Sequence, residues 1–185
     1  MPLISYADMT HAPQDVREAF ARMPRKLHVM KMLANAPAAF LPCMRLGGAI
    51  LGRQKLKPAM RELVILTVSH LERGEYEWVQ HVPIAESAGC AKEKIAAIER
   101  GEFESPCFDD RERALLRLAR EVIENVRADE ETVKAANRYF LPQEIVEIIV
   151  TCAFYMMLAR LTETTRTDVD TPAGTAVVEE LARLR

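Results

Sequence analysis

The chain has 185 residues, 49% apolar and 28% charged, and a net charge of −2. That length supports one domain with a substantial core, and the interspersed charges lack the one-sided basic face of a nucleic-acid binder. No run of about 18 apolar residues for a membrane span is found. MPLISYADMTHAP lacks the basic-then-apolar order of a leader, so a cytoplasmic protein is expected.

In chain order, apolar residues recur at helical spacing nearly throughout, and no convincing two-residue alternation appears. The fold class expected is therefore all-α, a helical bundle over residues 1–185, divided into N-terminal helices (1–52), a core (57–161) and a tail helix (162–185). Helices are predicted over Gln14–Met23, Lys26–Asn35 and Pro37–Leu51. Met23, Met30, Met32 and Met44 could line an adaptable apolar pocket there, and Gly47-Gly48 reads as close helix packing. The next two helices, Pro58–Leu71 and one starting at Glu75, form an antiparallel hairpin turning at Arg73-Gly74. Lys92–Arg100 follows, closed by Gly101, after Gly89 supplies a left-handed cap. Asp109 or Asp110 caps a helix to about Val126. Glu130–Phe140 and Gln143–Leu161 come next, then a Thr-rich link and a last helix from Pro172. Cys43, Cys90, Cys107 and Cys152 are far apart, with no Cys-x-x-Cys, which argues for reduced thiols and against a zinc or redox motif. His11 and His28 lack a second ligand at metal spacing, and no metal is expected.

The hairpin carries the chemistry. Glu62 lies on an almost wholly apolar helix, where a carboxylate needs a partner. Glu77 and His81 are one turn apart on the second arm. Residues equidistant from the turn face each other, so Glu62 comes level with His81, and a Glu62–His81–Glu77 cluster is expected. His70, near the turn, competes for that pairing. Flanking carboxylates fix an imidazole's tautomer and stabilise its charged form, which suits proton transfer. A buried structural pair would show the same spacing. Pro83 is expected to kink the second arm and open space beside His81. VEIIVTCAFYM, with Glu147 set on Glu62, is a weak echo of RELVILTVSHL in the first arm.

PAMRELVILTVSHLERGEYEWVQHVPIAESAG, with ERALLRLAREVIENV and FYMMLAR downstream, resembles the carboxymuconolactone decarboxylase superfamily, which includes the alkylhydroperoxidase D-like proteins. The peroxidase branch has an upstream Glu followed by Cys-x-x-Cys-x-x-x-His. Those positions fall on Glu62, Gly74, Glu77 and His81, so both redox cysteines are missing. The decarboxylase branch, also without the pair, has a Glu-x-x-x-His that Glu77 and His81 match. Met156 stands where related sequences more often have a polar residue.

The resemblance implies a helical bundle assembling as trimers or hexamers, with sites near subunit interfaces. It also implies a cofactor-independent acid–base enzyme of the decarboxylase type acting on a small carboxylated lactone or keto acid. His81 is then the general acid/base, Glu62 its orienting partner and Glu77 either a second proton carrier or an electrostatic tuner. Tyr76, Trp78, Tyr155 and Arg160 are the expected substrate contacts, Arg160 because a guanidinium matches a carboxylate. Neither a nucleic-acid nor a membrane partner is expected. Two alternatives stand beside this reading: a peroxide reductase using Cys90 or Cys107, and a non-enzymatic oligomeric scaffold.

Overall fold

The computed structural model describes residues 1–23 and 25–176, and among these the fold is entirely helical. Helices α1 (Gln14–Arg22), α2 (His28–Leu33) and α3 (Pro37–Arg53) form the N-terminal layer. The hairpin α4 (Pro58–Leu71) and α5 (Glu75–Ser87) follows, then α6 (Lys92–Glu99), α7 (Asp110–Asn125), α8 (Glu130–Ala136) and α9 (Pro142–Thr165).

Helix α4 is the hub. Every residue from Arg61 to Ser69 is buried, and the helix packs against α5, α6, α7 and α9. Burying Leu63, Val64, Ile65, Leu66 and Val68 stabilises the fold by about 1.5–3 kcal/mol each, which is why this helix takes the centre. The chain reverses at Arg73, which itself takes the left-handed conformation at φ 57°, while Gly74 N donates to Ser69 O at 2.8 Å. Gly89 and Gly101 are left-handed at φ 96° and 71°. Both close their helices as expected, and Cys90 N and Glu102 N bond back to Ala85 O and Ala97 O.

Asp109, not Asp110, caps α7, accepting from Glu112 N at 2.8 Å while Glu112 Oε2 accepts from Asp109 N at 3.0 Å. Helix α8 is shorter than expected. Leu141 precedes Pro142 and must be extended (ψ 156°), so the chain leaves the helix after Ala136 and crosses a turn. Helix α9 instead runs past Leu161, because the hydroxyls of Thr162 and Thr165 bond back to carbonyls of the preceding turn. The Thr-rich link is therefore helix as far as Thr165. Residues 167–173 continue without helix, and the tail helix expected from Pro172 lies mostly outside the described residues.

Helix α9 also corrects the expectation of no membrane-length apolar run, since its 24 residues include a window of mean hydropathy 1.8. It packs against α2, α3, α4, α5 and α7, as a core helix does. Gly47 permits one of these approaches: a Cβ there would lie 3.1 Å from Phe154 Cζ. Glu147 lies elsewhere than its echo Glu62 and accepts from Lys55 N and Leu56 N at the turn before α4.

Candidate functional site

The site is built where α4, α5 and α9 meet. The Glu62 carboxylate is fully buried and held on both oxygens. Oε1 accepts from Arg61 Nε at 3.0 Å and lies 2.9 Å from Nη2, and Oε2 is 2.8 Å from His81 Nδ1. Arg61, also buried, donates its Nη1 to Leu51 O at 2.7 Å. Since a carboxylate can only accept, Nδ1 is the donor in this pair, and Nε2 is left as the ring acceptor. Nε2 has no partner among the described residues. His70 does not compete, because it stacks edge-on against Phe103 on the far side of the turn.

His81 lines a cavity of about 90 Å³ with Met30, Met44, Glu77, Phe154 and Tyr155 among its walls. The Tyr155 ring stands edge-on to His81, centroids 4.9 Å apart. Cys43 also lines this cavity, whereas Met23 and Met32 do not. Helix α5 is continuous through Pro83.

Glu77 shares the cavity but bonds elsewhere. It is 3% exposed, has no ion pair among the described residues, and meets Thr162 Oγ1 at 3.1 and 3.2 Å. Burial pushes its carboxyl up to about 7, against smaller opposing effects of the Thr162 bond and the nearby His81 charge. The Thr162 hydroxyl also reaches Leu158 O and Ala159 O at 3.1 Å. A protonated Glu77 can thus donate to Thr162 Oγ1 while Thr162 donates to a helix carbonyl. The expected three-residue cluster is a bonded Glu62–His81 pair with Glu77 on the same wall.

The expected substrate contacts divide. Tyr155 lines the cavity, as does Tyr76, whose hydroxyl is already committed to Asp170 Oδ2 at 2.6 Å. Trp78 faces a separate groove with His70 and Gly74. Arg160 lies outside the cavity, 59% exposed and paired with Glu72 at 2.9 Å, so it is not placed to meet a ligand there. Sequence reasoning missed Arg61, Thr162, Gln80 and Asp170. Only Arg61 carried a signal, a second charge beside Glu62 on an apolar helix. Asp170 and Gln80 hold residues 167–174 across the cavity mouth: Gln80 bonds Asp170 O and Ala173 N, and Asp170 takes His28 N and Tyr76.

Residues 37–121 match the carboxymuconolactone decarboxylase family. Among solved structures, the alkylhydroperoxidase AhpD core of Ralstonia eutropha JMP134, an uncharacterized peroxidase-related protein, matches at 18% identity and TM-score 0.77, over 98% of this chain and 94% of that one. Residues 37–121, which carry Glu62, Glu77 and His81, are thus similar to that family, and the solved structures share the fold. A peroxidase-related protein from Silicibacter sp. TM1040 is similar at 16% identity and TM-score 0.76, over 100% of this chain and 96% of that one. The debrominase Bmp8, as a cysteine-to-alanine variant with 2,3,4-tribromopyrrole, matches at 18% identity and TM-score 0.73, over 97% of each chain. At these identities the structural likeness speaks for the fold. No curated protein matches the chain.

In the resemblance drawn from the sequence, Gly74 and Glu77 fall where the peroxidase branch has its two cysteines. The two departures are linked in space. A Cβ on residue 74 would lie 2.8 Å from Glu77 Oε2 and 3.0 Å from Ala159 Cβ, so the Glu77 carboxyl fills the volume a side chain at 74 would need.

Proposed function

We propose that the chain is a cofactor-independent acid–base enzyme in which His81 takes up and returns a proton on a small molecule held beside α5. The observation carrying this reading is the 2.8 Å bond from His81 Nδ1 to Glu62, on a residue that lines the cavity. A proton arriving at Nε2 creates an imidazolium whose charge Glu62 offsets through Nδ1, while Arg61 keeps Glu62 in place. Glu77 supplies a second exchangeable proton. Its carboxyl is uncharged below pH about 7, so it can donate where His81 accepts.

Carbon dioxide loss from a carboxylated lactone or keto acid is the form the family resemblance suggests, and a carbanion left that way would be protonated by the same groups. Among the described residues, no Arg or Lys lines the cavity to hold the departing carboxylate. The geometry therefore supports the general proton-transfer reading more than the carboxy-lyase one. A thiol peroxidase has less support still, since burial pushes the Cys90 and Cys152 thiols up to about 11 and 12, away from the thiolate form. Assembly of several copies, as trimers or hexamers, is part of the proposal. Its support is the exposed apolar stripe Val146, Ile149, Val150 and Met157 on α9.

The test is turnover of a panel of small lactones, ketones and keto acids by wild type and His81→Asn. The variant is expected to keep its circular dichroism spectrum and lose activity about 10²-fold or more. Undiminished turnover by His81→Asn would remove the mechanism.

A further inference from the structure

Beside His81 Nε2, the Tyr155 hydroxyl is a second unclaimed polar group of a cavity-lining residue. Tyr155 is 2% exposed, and its hydroxyl makes no hydrogen bond among the described residues without being one of the fully shielded unpartnered atoms, as suits a residue that lines the cavity. An O–H that opens onto a cavity pairs with whatever acceptor enters it. Burial, and then the negative charge of Glu62, hold this phenol well above its ordinary value, so it remains a donor. Its ring stands edge-on to His81, with centroids 4.9 Å apart, and both residues line the cavity.

The rest of the lining is largely apolar, and its charged or chargeable members are Glu77 and His81. A ligand carboxylate would have to shed its water next to Glu77 with no guanidinium or ammonium among the described lining residues to meet it, which disfavours the charged form. The volume of about 90 Å³ is smaller than the ~150 Å³ apolar cavity that accepts benzene, so the enclosed part of a ligand is smaller than a benzene ring and the rest reaches the opening.

We propose that the ligand of this site is a small, uncharged carbonyl compound whose oxygen accepts a hydrogen bond from Tyr155 while the adjacent carbon presents its proton to His81 Nε2. This rests on the acid–base reading above and names its substrate class. In the step, the α C–H bond breaks and its proton forms a bond to Nε2. The electron pair becomes a new C=C bond as the C=O π pair moves onto oxygen, where Tyr155 holds it. Return of a proton from the imidazolium to carbon restores the carbonyl. No electrons leave the substrate, and solvent hydrogen enters through exchange at His81.

Cyclopentanone is the probe, with cyclopentane as the ring lacking the oxygen and 2-oxobutanoate as the charged comparison. Binding is read by saturation-transfer NMR and deuterium wash-in at the α-carbons by proton NMR. Wild type is expected to bind cyclopentanone more tightly than either comparison and to exchange its α-protons. Tyr155→Phe, which keeps the ring packing, should weaken ketone binding about tenfold and slow exchange. Tighter binding of 2-oxobutanoate, equal binding of cyclopentane, or a folded Tyr155→Phe indistinguishable from wild type would each overturn the proposal. The cyclopentane comparison needs only wild type and decides the matter even if the variant fails to fold. Tyr155-dependent binding with no exchange, or with exchange unaltered in His81→Gln, would uphold the ligand class and overturn the acid–base reading. His81-dependent exchange that ignores Tyr155 would do the reverse.

Discussion

Glu77 is a buried acid with a hydroxyl for a partner and no cation, and its proton should be visible in the pH dependence of stability. Its ordinary value of 4.5 is raised to about 7 in the folded chain. Between those values the folded state binds more protons than the unfolded one, so the stability from this group is complete below pH 4.5 and is lost as pH rises through about 7. The shift corresponds to about 3 kcal/mol. Glu77→Gln cannot ionise, and its urea-unfolding free energy should gain on wild type by about that amount between pH 4.5 and pH 8. Parallel curves for the two proteins would mean that Glu77 is ionised throughout. Glu62→Gln should act differently, leaving Arg61 buried without its counter-charge at a cost of about 3–5 kcal/mol, read from the urea midpoint. The Glu62–His81 pair was legible because hairpin register is local information. The Glu77 partner was not, because Thr162 belongs to a distant helix and only tertiary packing brings it near.

At the scale of helices, the α4–α5 turn and α9 fit each other through the space at Gly74. Gly74 has an ordinary φ of −77°, so the need for glycine is one of volume rather than backbone conformation. Gly74→Ala should cost about 1–3 kcal/mol by pressing on the Glu77 carboxyl and Ala159. Glu77→Ala removes one of the two obstacles, so the double variant should recover part of that loss, a coupling measurable by a double-mutant cycle in urea. Strict additivity would show that the Glu77 carboxyl does not occupy the space at 74. Element positions were largely readable from periodicity and caps, as at Asp109, Gly89 and Gly101. The end of α9 was misread because threonine, a weak helix former by propensity, here satisfies its hydroxyl on the preceding turn. Which side of α9 is buried could not be read either, since apolar residues surround the helix: Ile145 and Ile148 face the core while Val146 and Ile149 are exposed.

For the whole molecule, the two ends of the described chain meet, and the C-terminal segment contributes Ala173 and Gly174 to the cavity lining. Leu3 N donates to Thr165 O at 2.7 Å, and Tyr6 both donates to Asp168 and accepts from its amide. Asp170 then fastens the segment to α2 and α5 together. Its Oδ2 accepts from His28 N and Tyr76 Oη, both at 2.6 Å, and Oδ1 lies 3.0 Å from His28 Nδ1. No local pattern announces such a contact, because one carboxylate joins residues from both ends of the sequence. Hydrogen bonds to a charged group contribute about 1.5–3 kcal/mol each but act here as a unit, so Asp170→Ala should destabilise the chain by about 3 kcal/mol. It should also loosen the covering segment before the core, since 167–173 makes no helix of its own. Cys43 reports this directly: its thiol lines the cavity that Ala173 and Gly174 cover. Alkylation followed peptide by peptide in mass spectra should show Asp170→Ala labelling faster at Cys43, with the rate at buried Cys152 unchanged under native conditions. Equal acceleration at both thiols would indicate global unfolding, and no acceleration at Cys43 would mean that the clasp does not govern access to the site.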